Sequence, residues 1–202
     1  NSKSDLIYFM MDSCFSDTLE KADRHLVYSS IISEYLYDNK SNDDNLRYKM
    51  SGPVAKMIKS EVIIRNNLKF EEVIASNDIM FSTKVGYYAS TVCADNRTVY
   101  TATVRHGSLT KTRTKEIQYC RYLVQIRYNI FVKKIGKPHI QKHLTSRIIE
   151  SLIYFGLREF FKYIHVAFKN RMNVFLGFSH FSSSLKNWTL RKLDRDKYLN
   201  NQ

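Results

Sequence analysis

The chain is poor in the residues that build loops and staples. Its 202 residues include two prolines and six glycines, which excludes collagen-like and linker-like architectures and favours regular elements. The three cysteines, Cys14, Cys93 and Cys120, are far apart and odd in number. They offer neither a disulfide framework nor a C-x-x-C metal pair, so a reducing compartment is expected. Long hydrophobic runs are missing too. The most apolar stretch, Ile148 to Phe168, is interrupted by Glu150, Arg158, Glu159, Lys162 and His165, too many charges for a spanning helix. No charged segment followed by an apolar one opens the chain, so no signal peptide is expected. The first residue is Asn rather than Met, which makes a trimmed N-terminus the expectation. The N-x-S/T triplets at Asn39, Asn96 and Asn187 are expected to be chance matches.

Catalytic signatures are equally scarce. The sequence holds no Walker A, G-x-G-x-x-G, G-x-S-x-G or H-E-x-x-H motif. A metal-dependent nuclease needs clustered carboxylates. Glu71, Glu72, Asp78 and Asp95, with Lys84 nearby, would have to converge in space to supply them. His139 and His143 stand four residues apart, but Lys137 and Lys142 beside them would repel a cation, and surface histidines are the simpler reading. A non-enzymatic protein without metal or cofactor is expected.

What is present is charge of one sign. Residues 1–100 carry 12 Lys/Arg against 14 Asp/Glu, and residues 101–202 carry 20 against 5, within a chain of net charge +13. A half that basic is expected to meet a polyanion, either an anionic membrane surface or RNA and ribonucleoprotein. Hydrophobic residues are 44% of the chain, enough for one domain plus an appendage.

The pattern divides the chain into an acidic N-terminal helical arm, 1–48, and a basic α+β domain, 49–202. A helix is predicted over 16–37, with Asp17 and Glu20 spaced as a capping box and Tyr28, Ile31, Ile32, Tyr35 and Leu36 on one face. The polar run from Asp38 to Asn45 reads as a loop. A turn at Ser51-Gly52-Pro53, a strand through Ile64 and a short helix over 71–75 follow. Met80 to Ala89 and Val99 to Val104 are strand candidates. From Ile117 to Val132, Cys120, Tyr122, Val124, Ile126, Tyr128, Ile130 and Val132 alternate, which predicts a long strand. After Gly136-Lys137-Pro138 a helix is predicted over 144–169, burying Ile149, Leu152, Ile153, Gly156, Phe160, Ile164 and Ala167. A last extended piece over 173–181 and a basic helix over 185–199, docked by Trp188 or laid on a membrane, complete the chain. The expected fold is α+β, an antiparallel sheet packed against a long C-terminal helix, with the N-terminal helical arm.

Two basic features stand out as binding candidates. Arg105, Lys111, Arg113 and Lys115 punctuate a Gly-, Ser- and Thr-containing loop from 105 to 116, suited to a phosphate clamp or to a plain solvated hairpin. Tyr119, Arg121, Arg127 and Phe131 would share the outer face of the long strand. A single-stranded nucleic acid stacks on such surfaces. Lys133 and Lys134 extend the same basic surface.

Three stretches carry a resemblance to rhabdovirus matrix proteins. Val62 to Phe70 followed by Glu72-Val73 resembles that family's strand, Arg-containing turn and short helix. Leu123 to Ile130 is similar to its long alternating strand, and Phe178-Ser179-His180-Phe181 to the ending of some members. The likeness spans roughly residues 58–181. The chain departs from the family in having no proline-rich budding motif, no basic N-terminal tail and an acidic first 48 residues. The resemblance implies self-association into a homo-oligomer, contact with anionic inner-leaflet lipid and condensation of ribonucleoprotein. It also implies a location in the virion or the host cytoplasm, peripheral at the membrane, with the nucleus as an alternative. A dedicated RNA-binding protein of nucleoprotein, silencing-suppressor or ribosome-component type is the rival reading.

Overall fold

The structure, a computed structural model, describes residues 3–105 and 112–174. They divide into two compact units between Gln141 and Lys142. The fold is mixed α and β, as expected, but its layout differs.

The first unit is organised around β1, Leu6–Phe15. Its opening run, LIYFMM, is apolar without alternation, the signature of a strand covered on both faces. Leu6 and Tyr8 point into one core with Ile31, Ile32, Tyr35, Leu46, Phe81 and Val85. Ile7, Phe9 and Met11 point into a second cluster with Ala55 and Ala102. β2, Lys56–Ile58, pairs antiparallel with β1, and β3, Val92–Val104, pairs parallel with it, giving the order β2-β1-β3. The expected antiparallel sheet is therefore corrected to a mixed one. The parallel pairing needs a long crossover, and this is supplied by α1, Leu26–Tyr37, α2, Asn39–Lys49, α3, Ser60–Arg65, and α4, Asn77–Tyr88.

The N-terminal helical arm is not found. The first 15 residues contribute the central strand, and α1 begins at Leu26 rather than residue 16. The expected boundary at residue 48 falls inside α2. Ser13 fixes the start of α1. Its Oγ accepts from the His25 backbone N–H at 3.3 Å and lies 2.8 Å from His25 Nδ1.

Residues 80–89, expected as a strand, belong to α4. Gly86 is the reason this helix packs so closely. A Cβ there would overlap the Arg47 carbonyl oxygen and lie 3.0 Å from its carbon. The Arg47 guanidinium then donates to Gly86 O at 2.8 Å and Ala89 O at 2.6 Å, satisfying carbonyls that end α4.

The expected long strand over 117–132 is α5, Lys115–Lys134, capped by the Thr114 side chain. An alternating series contains two helical series. Cys120, Val124, Tyr128 and Val132 recur every four residues on one face, and they pack with Tyr48, Met80 and Ile140. Tyr122 and Ile126 are four apart on another and are also buried. Sixteen residues without Gly or Pro suit a helix better than a strand.

In the second unit the expected single helix over 144–169 is two, α6, Thr145–Phe155, and α7, Leu157–Lys169. Gly156, placed in the buried stripe by the sequence pattern, instead breaks the helix at φ +84° and ψ −179°, a backbone conformation essentially reserved for glycine. Of the extended piece expected over 173–181, residues 173 and 174 are not in a strand and the rest lies outside the described residues, as does the helix expected over 185–199.

Candidate polyanion-facing surface

The predicted aromatic and basic sheet face does not exist, because its residues are helical. At about 100° per residue, Tyr119 and Arg121 point in nearly opposite directions. Arg121 donates to Thr112 O at 3.0 Å, tying the helix to the segment before it. Arg127 makes a two-pronged ion pair with Glu71, 3.0 and 2.9 Å, and is engaged inside the unit. Phe131 packs beside Tyr87, edge to face. A stacking platform needs its rings and cations on one open side, and α5 distributes them.

The predicted phosphate loop is described only at its ends. Arg105 is exposed after β3, and Arg113 and Lys115 are exposed where α5 begins. Lys111 lies outside the described residues. Lys133 and Lys134 are exposed in the last turn of α5, where cations are favoured by the helix dipole. Arg105, Lys133 and Lys134 have no ion pair among the described residues.

The acidic residues do not gather. Glu71 holds Arg127, and Asp95 holds Arg97 at 2.7 Å. His139 lies 3.0 Å from Asp44, which also pairs with Lys137 at 2.9 Å, whereas His143 belongs to the second unit. Among the described residues no three His, Cys, Asp or Glu side chains come together as a metal site. Nor is any described helix long and apolar enough to cross a membrane.

Side-chain desolvation is concentrated elsewhere, in the first unit. Lys56 lies with its ammonium 5.1 Å from the Tyr8 ring centre, and burial pulls its pKa down to about 7, only partly opposed by Asp78. Tyr8 and Tyr128 are pushed far up by burial and stay neutral. Tyr8 and Tyr128 sit in the core and Lys56 lies half-buried at its edge, so these groups support packing.

The most distinctive surface is one that the sequence reading passed over. α7 divides lengthwise into three stripes. Glu159, Tyr163 and Ala167 are buried. Leu157, Phe161 and Phe168 project from one side at 65%, 61% and 61% exposure. Their spacing of four and seven residues makes them a continuous apolar ridge. Arg158, Lys162, His165 and Lys169, all exposed, form a basic flank directly beside it. Glu159 is buried and meets Lys162 at 3.4 Å. The signal was present in the sequence: α7 carries more large apolar residues than one buried stripe can hold. Assigning Phe160, Ile164 and Ala167 to the core left Leu157, Phe161 and Phe168 facing outward.

Comparison with protein-family models, with curated proteins and with solved structures finds no match.

Proposed function

We propose that this chain is a non-enzymatic, matrix-like viral structural protein. In this reading it self-associates and bridges an anionic membrane surface and ribonucleoprotein, peripheral to the membrane in the virion or the host cytoplasm. The observation that carries the membrane half of this reading is the ridge on α7. An exposed apolar ridge flanked by cations is how a helix lies in a bilayer interface, rings among the acyl chains and ammonium groups at the phosphates. The basic second half of the chain and the resemblance of residues 58–181 to rhabdovirus matrix proteins support it. Magnitudes are consistent. Each large apolar side chain moved from water contributes about 1.5–3 kcal/mol when fully buried, and each Lys or Arg near an anionic surface about 1 kcal/mol. Three rings or branched chains together with Arg158 and Lys169 therefore suffice for reversible binding.

The rival, an RNA-binding protein, now rests on phosphate contacts alone, through Arg105, Arg113, Lys115, Lys133 and Lys134, because the aromatic platform is gone. The two readings separate in one experiment. Purified full-length chain is floated with neutral or anionic liposomes, with single-stranded RNA as competitor. We expect flotation with anionic vesicles only, retained in excess RNA. Leu157→Asp with Phe161→Asp is expected to lower vesicle binding about 100-fold, the loss of two inserted side chains. Release of the wild type by a small excess of RNA, or unchanged binding of the double variant, would overturn the membrane assignment.

A further inference from the structure

The sheet ends on a strand that is finished on one side only. β3 is an edge, and among the described residues no strand pairs with its outer side. Edge strands are normally blunted by proline, lysine, bulges or a covering element. β3 is irregular early, where its register on β1 shifts twice, on either side of Met10. From Tyr100 to Val104 the pairing is regular, Met11 to Tyr100 through Phe15 to Val104. That segment, Tyr-Thr-Ala-Thr-Val, contains no charge and no proline. The only charges in the strand, Asp95 and Arg97, already neutralise each other. Every residue from Asn96 to Thr101 is exposed. Parallel strands are almost always buried, so an exposed parallel pair with an open edge is incomplete as it stands.

We propose that the outer edge of β3 pairs antiparallel with β3 of a second copy across a two-fold axis at Ala102. This gives the self-association in the reading above, on which it rests, a defined surface. The backbone phase fits. Val104 O accepts from Ser16 N on the β1 side at 2.9 Å. Alternate residues face opposite ways, so Thr101 and Thr103 direct their N–H and C=O groups outward. A two-fold axis at Ala102 sets Thr101 against Thr103 of the partner copy, each exchanging two backbone hydrogen bonds. It sets Tyr100 against Val104. Threonine pairs and aromatic–β-branched pairs are favourable cross-strand neighbours, and no like charges meet. Two-fold pairing closes the edge and yields a six-stranded sheet across the dimer, an isologous contact rather than an open filament. One exposed side chain, Arg24, approaches the Thr103 carbonyl at 3.5 Å, and the incoming strand displaces it.

The test is sedimentation of the full chain at several concentrations in detergent-free buffer without lipid. The wild type is expected to dimerise. Thr101→Pro removes an outward donor while leaving the β1 ladder intact, and is expected to sediment as a monomer with unchanged far-ultraviolet circular dichroism. Thr101→Glu with Thr103→Glu, at two exposed positions, sets carboxylates opposite each other across the axis and should raise the dissociation constant at least tenfold. Thr101→Lys with Thr103→Glu should restore it, because each Lys then faces a Glu. This pair tests the edge even where the proline variant loses its fold. A monomeric wild type would overturn both the edge pairing and the self-association reading. A wild-type dimer that both the proline and the double-Glu variants leave intact would overturn the edge alone.

Discussion

Gly86→Ala puts the packing of α2 on α4 to a test with opposite signs. In an open helix, alanine is better than glycine by about 1 kcal/mol, so the substitution would stabilise. Here the added Cβ overlaps the Arg47 carbonyl oxygen and stands 3.0 and 3.2 Å from its carbonyl carbon and Cα. All three are backbone atoms of a neighbouring helix, so no side chain can rotate away. The helices must part, and Arg47 loses reach to Gly86 O and Ala89 O. Overpacking of this kind costs about 1–3 kcal/mol, occasionally more. Hydrogen bonds from a charged donor contribute about 1.5–3 kcal/mol. Subtracting the helix-propensity gain leaves a net loss of about 2 kcal/mol or more. With a urea slope of about 2 kcal/mol per molar, the midpoint falls by about 1 M. Equilibrium urea unfolding followed by circular dichroism reads this directly. A midpoint that is unchanged or higher would refute the close approach and the packing derived from it.

Gly156→Ala forces a side chain into a backbone region reserved for glycine. Since nothing lies within 4 Å of the added Cβ, the cost is conformational, about 1–3 kcal/mol, visible as a lower melting temperature. Lys56 has a folded pKa of about 7 against 10.5 unfolded, so the unfolded chain binds more protons between those values. Stability from this group therefore rises as pH climbs from about 7 toward 10.5, and Lys56→Met is expected to flatten that rise and to stabilise the protein at neutral pH. Equal pH slopes of the urea midpoint in both proteins would contradict it. Asp5 accepts from Lys59 Nζ and the Ser90 and Thr91 amides at 2.9, 3.0 and 3.2 Å, which holds its pKa below the usual value. Its stabilisation is present above the unfolded carboxylate pKa and lost below it, so Asp5→Asn should weaken the protein at neutral pH and reduce its acid sensitivity. Arg127→Ala removes a partly exposed ion pair with Glu71 and should cost about 1 kcal/mol or less, leaving the salt dependence of polyanion binding unchanged. A smaller salt slope would show that Arg127 meets the polyanion.

The sequence pattern was informative where one periodicity fitted and misleading where two did. Val99 to Val104 reads as a strand and is one, because β-branched residues dominate and no apolar helical stripe competes. The start of β1 carries a readable signal, a short apolar run without alternation, but the capping-box spacing of Asp17 and Glu20 and the helical spacing from Tyr28 to Leu36 compete with it and point to a helical arm. In α5 the even-numbered apolar residues satisfy both a period of two and a spacing of four, and only length and the lack of breakers favour the helix. α4 is hard to read from the sequence because its buried positions include Ser82, Thr83 and Gly86, small residues that contribute little to a hydrophobic pattern. Parallel pairing of β1 with β3 is tertiary information that no local window contains. Among the candidate site residues, the sequence indicated cations but could not tell which are spent inside the fold. Arg127 pairs with a carboxylate 56 positions away, and Arg121 with a carbonyl before its own helix.

The order of the strands also governs how this chain is made. Of the strands in this sheet β1 leaves the ribosome first, yet it is completed only with the third, because its long partner β3 begins at Val92 and ends at Val104. Before β3 emerges, β1 has only the three residues of β2 beside Leu6 to Tyr8, a backbone bond from Phe9 to Ala55 and a local turn from Ser13 to Ala22 as partners. At about 5–20 residues per second, the rest of an apolar strand waits roughly 5–20 s for about 90 further residues to emerge. During that interval, LIYFMM is an exposed, uncharged, proline-free segment of the kind that pairs with its own copies. Nascent-chain holding factors, synthesis rate and temperature should therefore set the soluble yield more strongly than the stability of the finished fold does.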